Sequence, residues 1–355
     1  MTIIDKSRPV MITGATGYVA GWIVTRLLEK GLTVHAAVRD IEDHEKLKYL
    51  DKLASELPGQ IRYFKSDLLD EGSYAQAMDG CELVFHTASP FTVSVKDPQK
   101  QLVEPAVLGT RNVLLQANKT SSVKRVVLTS SVAAIYGDNV DVKKTASGKF
   151  TEDDWNTTST LDHGAYSYSK VQAEREAWKI SGDQDRWDLV VINPSLVIGP
   201  GINPNATSES FKLIRNFGDG TMRLGVPQFG IGVVDVRDVA DAHLKAAFLP
   251  EAQGRHIVSG YNTDFPSMAR PLVKKFGRAY PFPKMTSPKP LVWLVGPLLD
   301  KSLTRRMIRD NVGIPFVADN SKSIDQLGMT YRPLEESLVE FFQQLVDSGA
   351  FDKKK

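Results

Sequence analysis

The feature that most limits what this chain can fold into is its opening unit. A short apolar run, Pro9-Val10-Met11-Ile12-Thr13, stops at a glycine, and Thr13-Gly14-Ala15-Thr16-Gly17-Tyr18-Val19-Ala20-Gly21 leads into a stretch of helical period. On that helix Val19, Ile23, Val24, Leu27 and Leu28 share one face, and Gly31 supplies the stop. Glycine is needed where a strand turns sharply into a helix and backbone amides must approach a ligand without a Cβ in the way. The helix start adds free N–H groups and the positive end of its dipole, a setting that suits phosphate. The turn is therefore expected to hold the pyrophosphate of a dinucleotide, with Gly14, Thr16, Gly17, Tyr18 and Val19 around it.

The same rhythm continues along the chain. Apolar runs at 33–38, 61–65, 83–86, 125–129 and 189–192 read as strands separated by helix-length segments, and 256–259 reads as a strand returning to the same sheet. Apolar strands alternating with helices predict a parallel sheet covered on both faces, an α/β, Rossmann-type doubly wound fold. After Pro194 the alternation becomes intermittent, and Gly, Pro and Asn crowd 199–205. We expect a dinucleotide-binding domain over 1–194 with a returning segment near 230–260, and a smaller substrate-binding cap from 195–229 and 261–355. Seven prolines between Pro266 and Pro297 predict that 262–300 is rich in loops.

Composition narrows the function classes. The 355 residues carry 44 Lys and Arg against 42 Asp and Glu, too balanced for a nucleic-acid binder. The tail Lys353-Lys354-Lys355 is expected to be a solvated end. One cysteine, Cys81, excludes an internal disulfide and cysteine-cluster metal sites, and its apolar neighbours Leu83-Val84-Phe85 predict a buried, inert thiol. No metal site is expected. The start of the chain lacks an apolar signal core, and the longest apolar stretch, Leu291 to Leu299, is too short to span a bilayer. That stretch is expected to cover the active site as a cap helix. A cytoplasmic protein without a membrane span is expected, with the sequons at Asn118, Asn156 and Asn205 as chance matches.

Strand two ends Val38-Arg39-Asp40, with Lys46 and Lys48 beyond it. A 2′-hydroxyl is normally met by an acid at this point and a 2′-phosphate by arginine. Val38 stands where the acid would be. Arg39 can fork onto a phosphate and Lys46 adds a point charge, so the cofactor expected is NADPH/NADP+. Ser131 follows strand five, and Tyr166 and Lys170 are four apart within Tyr166-Ser167-Tyr168-Ser169-Lys170, which stacks them on one helix face. An ammonium beside a phenol favours the phenolate and makes tyrosine a usable general acid. A serine hydroxyl can hydrogen-bond a carbonyl oxygen as it gains charge. Tyr168 has no lysine four residues on and is the control. His86 and His243 are expected to be structural.

These residues together resemble the extended type of the short-chain dehydrogenase/reductase superfamily over nearly the whole chain. The matching pieces are Thr13-Gly14-x-x-Gly17-x-x-Ala20, Asp67-Leu68, Phe85-His86-Thr87-Ala88-Ser89-Pro90, Ser130-Ser131, Tyr166-x-x-x-Lys170, Asn193 to Pro200, and Val234 to Ala240. Within it the chain is most similar to the dihydroflavonol-reductase-like branch, which includes microbial NADPH-dependent carbonyl reductases. The resemblance implies that Asp67 and Leu68 contact adenine, that Thr87, Ala88 and Ser89 line the cofactor path, and that Pro194 and Val197 flank the nicotinamide. Four departures shape the expectation further. Ala20 takes the third glycine position, which the microbial carbonyl reductases tolerate. Val132-Ala133 replace the acidic pair of sugar dehydratases, which disfavours dehydration. Tyr136 replaces the asparagine by which plant flavonoid reductases hold their substrate. The stretch 162–170 lacks the Lys-Asn-Trp-Tyr-Cys-Tyr-Gly-Lys of cinnamoyl-CoA reductases.

The leading expectation is reversible NADPH-dependent reduction of an aldehyde or ketone, with a small-molecule carbonyl substrate and a monomer or homodimer as the working form. Nucleotide-sugar epimerase, hydroxysteroid-type dehydrogenase and a non-catalytic NADPH-binding regulator are the alternatives. The substrate pocket is expected from 90–100, 136–165, 195–230 and 262–315.

Overall fold

The computed structural model describes residues 1–89, 95–299 and 303–352; Pro90 with the pocket residues 90–94, and Lys353-Lys354-Lys355, lie outside the described residues. The first half runs β1 (Val10–Thr13), α1 (Tyr18–Glu29), β2 (Thr33–Val38), α2 (His44–Glu56), β3 (Gln60–Lys65), α3 (Ala75–Met78), β4 (Leu83–His86), α4 (Glu104–Lys119), β5 (Arg125–Thr129) and α5 (Ala165–Gly182). It continues with β6 (Asp188–Pro194), β7 (Leu196–Ile198), α6 (Glu209–Gly218), β8 (Val226–Pro227), β9 (Gly230–Asp235), α7 (Val236–Phe248) and β10 (Gly254–Val258). The chain then adds β11 (Tyr261–Asp264), α8 (Phe265–Phe276), β12 (Thr286–Ser287), α9 (Lys289–Leu299), α10 (Arg305–Asn311), α11 (Ser321–Leu327) and α12 (Leu334–Asp347).

Seven strands make one sheet in the order β10-β6-β5-β4-β1-β2-β3, parallel throughout. This is the doubly wound Rossmann-type sheet expected from the sequence. Its central strands are apolar on both sides because both faces are covered. Met11 and Ile12, Val84 and Phe85, Val126 and Val127, Val190 and Val191 each send one side chain to either core. One core is closed by α1 and α7, the other by α4 and α5. Each fully buried Val, Leu or Phe there contributes about 1.5–3 kcal/mol of burial. β3, at the sheet edge, alternates and leaves Gln60, Arg62 and Lys65 exposed.

A separate core lies beyond this sheet. β7, β9 and β11 form a three-stranded sheet, against which α6, α8 and α12 pack Phe211, Phe217, Leu272, Phe341 and Phe342. Of the segment 230–260, α7 and β10 belong with the large sheet, whereas β9 joins the small one. The expectation of loops over 262–300 is corrected: α8 and α9 both lie there. Pro266 and Pro290 fall in the first turns of these helices, where no N–H partner is needed. Pro271 and Pro297 sit within them.

Polar groups inside the large domain are held by specific partners. Arg125, wholly buried, reaches Asp188 through Nε and Nη2 (2.7 and 2.9 Å). Its Nη1 donates to the carbonyls of Leu249 (2.6 Å) and Ala246 (3.0 Å), which the end of α7 would otherwise leave bare. Cys81 is buried as expected, and burial pushes its thiol up to about 12, which disfavours the reactive thiolate. His243 donates from Nδ1 to the carbonyl of Val239 (2.7 Å) and accepts at Nε2 from Thr129 (2.7 Å). His86 faces Thr13 Oγ1 at 3.0 Å. Both are buried structural histidines, as is His256 within β10.

Burial lowers these three histidines from the ordinary 6.5, His86 to about 3 and His243 and His256 to about 4. Between about pH 4 and 6.5 the unfolded chain therefore binds more protons than the folded one, and stability must fall as pH falls through that window. At roughly 1.36 kcal/mol per proton and pH unit, each histidine removes about 2 kcal/mol between neutrality and pH ~5. Urea unfolding at pH ~7.5 and pH ~5 should show a loss of several kcal/mol. An unchanged free energy would mean that the rings take up protons in the folded state.

Candidate active site

β1 and β4 are neighbours in the sheet although the chain leaves β1 towards β2, so their C-terminal ends mark the switch point where α/β sheets form clefts. Gly14 turns here with φ +63°, and a Cβ on it would lie 3.1 Å from the Cβ of Ala88. Thr13 holds that approach from below. Its Oγ1 accepts from the N–H of Thr87 (3.1 Å) and of Ala88 (3.0 Å). Gly17 caps α1, and a Cβ there would stand 3.0 Å from the carbonyl of Gly14. The first turn of α1 carries no acid and its cap makes no side-chain hydrogen bond. A bare helix start behind two glycines is a cradle for phosphate.

From this turn a cleft of about 640 Å³ runs between the two sheets. Ser131 enters it from the end of β5, Tyr166 and Lys170 from α5, and Tyr18, Val19 and Thr87 from the glycine-turn side. Pro194 and Val197 face in from the other wall. Residues scattered over the sequence thus share one space. Ser131 is extended and accepts the N–H of Ala133 at Oγ (3.1 Å), which leaves its own hydrogen to donate. Tyr166 follows Gly164, whose φ of +71° starts α5 abruptly, and its ring is half exposed to the cleft. Lys170 Nζ donates to Ser89 Oγ (2.9 Å) and stands 5.6 Å from the centre of the Tyr166 ring. Tyr168 does not line the cleft; Ser167 does.

Two smaller hollows flank it. Thr16, Gly17, Tyr18 and Lys46 line one; Lys46 Nζ is paired with Asp43 Oδ2 at 2.5 Å. Leu68, Ala88, Ser89 and Lys170 line the other, with the carbonyl of Leu68 held by Asn112 Nδ2 (3.1 Å). Gly14, Arg39 and Asp67 line none of the three. Arg39 is exposed at the end of β2, while Asp40 turns its carboxylate back to the N–H of Glu42 (3.0 Å). Asp67 does the same to Leu69 (2.8 Å). The fit to a dinucleotide rests on the glycine cradle and on Ser195 Oγ, a buried hydroxyl of the cleft wall that no group among the described residues satisfies.

Sequence reasoning missed the group that holds the site together. Glu174, wholly buried on α5, accepts from Ser130 Oγ, Asn193 Nδ2 (2.8 Å), Arg255 Nε (2.6 Å) and Trp178 Nε1 (3.3 Å). Arg255 also lies over the ring of Trp155 at 4.1 Å. The available signal was spacing: Glu174 is four residues beyond Lys170 and eight beyond Tyr166, on the same helix face. A second missed link is His163, whose Nε2 meets Asp138 Oδ2 at 2.7 Å, while Asn311 on α10 donates to Asp138 Oδ1 (2.7 Å). It fixes the segment that delivers Tyr166.

A family model described as the NAD dependent epimerase/dehydratase family matches residues 10–260. The chain belongs to that family. As a member of this extended short-chain dehydrogenase/reductase group it is a nicotinamide-nucleotide-dependent oxidoreductase. It is 36% identical over 351 residues to cinnamoyl-CoA reductase CAD2 of Medicago truncatula, covering 97% of this chain and 98% of that one. A putative anthocyanidin reductase of Ginkgo biloba is 36% identical over 282 residues, 76% of this chain and 81% of that one. Among solved structures, Gre2 of Candida albicans in complex with NADPH superposes with TM-score 0.74 at 29% identity, over 96% of this chain and 99% of that one. The yeast methylglyoxal/isovaleraldehyde reductase Gre2, complexed with NADPH, gives 0.73 at 25% identity over 97% and 99%.

In this family member, replacing Glu174 strands a buried guanidinium. Glu174→Gln should cost about 3–5 kcal/mol of stability, the scale for breaking a buried ion pair. Glu176→Gln, which removes only the α4–α5 surface pair with Arg111, should cost under ~1 kcal/mol. Urea unfolding of the two variants decides the point, and equal losses would remove Glu174 from its central place.

Proposed function

We propose that the protein reduces an aldehyde or ketone to the alcohol with NADPH, reversibly, and that Ser131, Tyr166 and Lys170 carry the proton chemistry. The observation that carries this reading is the convergence of these three side chains on one cleft with the glycine cradle at its end. NADPH, when bound, supplies the hydride that goes to the carbonyl carbon. Tyr166 donates its phenolic proton to the carbonyl oxygen as that oxygen gains charge. The Lys170 ammonium steadies the phenolate left behind, and two of its N–H donors remain beyond the one given to Ser89. Ser131, its oxygen occupied by the Ala133 amide, turns its hydrogen to the substrate oxygen. Val95, Leu102, Val132, Tyr136, Leu196 and Ile231 make much of the remaining wall apolar, with Ser208, Glu209 and Ser210 as its polar part, which favours a largely hydrophobic carbonyl compound. The absent cinnamoyl-CoA signature at 162–170 speaks against a CoA thioester.

The NADPH complexes of the two Gre2 neighbours support the choice of cofactor, and so does Arg39, free of Asp40 at the end of β2. Gly14, Thr16, Gly17, Tyr18 and Val19 would hold the pyrophosphate, Arg39 and Lys46 the 2′-phosphate, and Asp67 and Leu68 the adenine. Thr87, Ala88, Ser89, Pro194 and Val197 would line the nicotinamide end.

Loss of NADPH absorbance with a panel of aromatic aldehydes, ketoesters and diketones tests the activity directly; an epimerase would show no net consumption. Tyr166→Phe should lower turnover about 10²-fold or more while NADPH still binds, and Tyr168→Phe should leave it nearly unchanged. Near-normal turnover in Tyr166→Phe would remove the proton-donor role.

Cofactor choice is tested separately. Charge-assisted bonds of roughly 1.5–3 kcal/mol link a guanidinium to a phosphate, so Arg39→Ala should raise KM for NADPH about tenfold or more and leave NADH almost unaffected. An equal shift for both cofactors would make Arg39 an ordinary surface charge.

A further inference from the structure

The apolar stretch that the sequence placed over the active site lies elsewhere: no residue of α9 lines the cleft. Val292 and Gly296 turn inward onto Ile308 of α10 and Leu303, and this contact anchors the helix. Leu291, Leu294 and Leu298, spaced three and four apart, form the opposite face and point into solvent. Leu298 and the neighbouring Leu299 are 85% and 81% exposed, so they protrude beyond the surface. Nothing in the reductase reading uses them. Monomeric proteins rarely leave such a contiguous apolar face uncovered without a binding role.

The charge along this segment is mainly basic. From Lys284 to Asp310 the sequence has six Lys and Arg against two acids, Asp300 and Asp310. Arg305 lies over the ring of Trp293 at 4.5 Å, and Arg306 and Arg309 are exposed on the same short helix. Asp310 is their only close acidic partner among the described residues, at 2.7 Å from Arg309 and 3.8 Å from Arg306. Lys289 opens α9 and Lys284 precedes it, exposed. A protruding leucine face with a tryptophan beside it and arginines around it matches the interfacial helices that lie in the plane of an anionic bilayer. We propose that α9 and α10 dock the enzyme peripherally on anionic membrane surfaces, with Leu294 and Leu298 entering the acyl boundary and the arginines meeting the headgroups. No helix among the described residues is long and apolar enough to cross a membrane, so the attachment is to the surface.

The experiment is co-sedimentation of the whole protein with phosphatidylcholine vesicles and with vesicles containing about one third phosphatidylglycerol, at low and high salt. Binding is expected to the anionic vesicles alone and should weaken with salt. The double substitution Leu294→Asp and Leu298→Asp should abolish it. Arg305→Gln with Arg306→Gln should lower it about 25-fold, roughly fivefold per charge. Both variants change exposed side chains, and unaltered NADPH-dependent turnover and thermal unfolding would show that they fold. Equal affinity for neutral and anionic vesicles, or no binding to either, overturns the proposal. So does a dimer in sedimentation velocity that the leucine variant dissociates, since the face would then be a contact between copies.

Discussion

The carboxylate of Glu174 is the constraint on which the arrangement of the site depends. A charge carried into the interior is tolerable only if its oxygens are satisfied and an opposite charge is at hand. Here Arg255 from β10 supplies the charge, and Ser130 and Asn193 supply hydrogen bonds from the ends of β5 and β6. One side chain therefore fixes α5 against three adjacent strands of the sheet. Ser131 follows Ser130 directly, and Asn193 donates to its carbonyl as well (3.1 Å). The hydroxyl, phenol and ammonium that face the cleft are consequently set by a buried ion pair that none of them touches.

A second coupling runs from the cap. α10 packs against α9 through Ile308 and holds Asp138 through Asn311, and Asp138 in turn meets His163, three residues before Tyr166. The basic outer layer and the start of α5 are thus parts of one hydrogen-bonded unit. Asn139, also wholly buried, reinforces it by donating to the carbonyls of Gly230 (2.8 Å) and Ile314 (3.1 Å), so β9 is tied in too. The cleft has one wall from the large sheet and one from the small sheet, and these contacts set its width.

The legible part of the protein was the part governed by local pattern. Strands β1, β4, β5 and β6 are continuous apolar runs because both faces of the sheet are covered, and a run of that kind can be read without knowing its neighbours. The prolines of 262–300 do not exclude helices: Pro266 and Pro290 stand in first turns, where proline is tolerated, and Pro271 and Pro297 are accommodated within α8 and α9. The apolarity of the α9 leucines says that a face needs covering, and says nothing of which surface covers it, so their place away from the cleft is not legible in the sequence.

The sequence by itself determined the doubly wound sheet, the glycine turn with its bare helix start, and the pairing of Tyr166 with Lys170. Each of these depends on residues within one turn, one strand or two helical turns of each other. Only the tertiary structure decided that Ser131, Tyr166, Thr87 and Pro194 share one cleft, and that α9 turns away from it. It also decided that Glu174 meets Arg255, 81 residues away. The physical reason is that burial of a charge and direction of a helix face are properties of what the rest of the chain packs around them. Periodicity fixes which side chains travel together; only packing fixes what they meet.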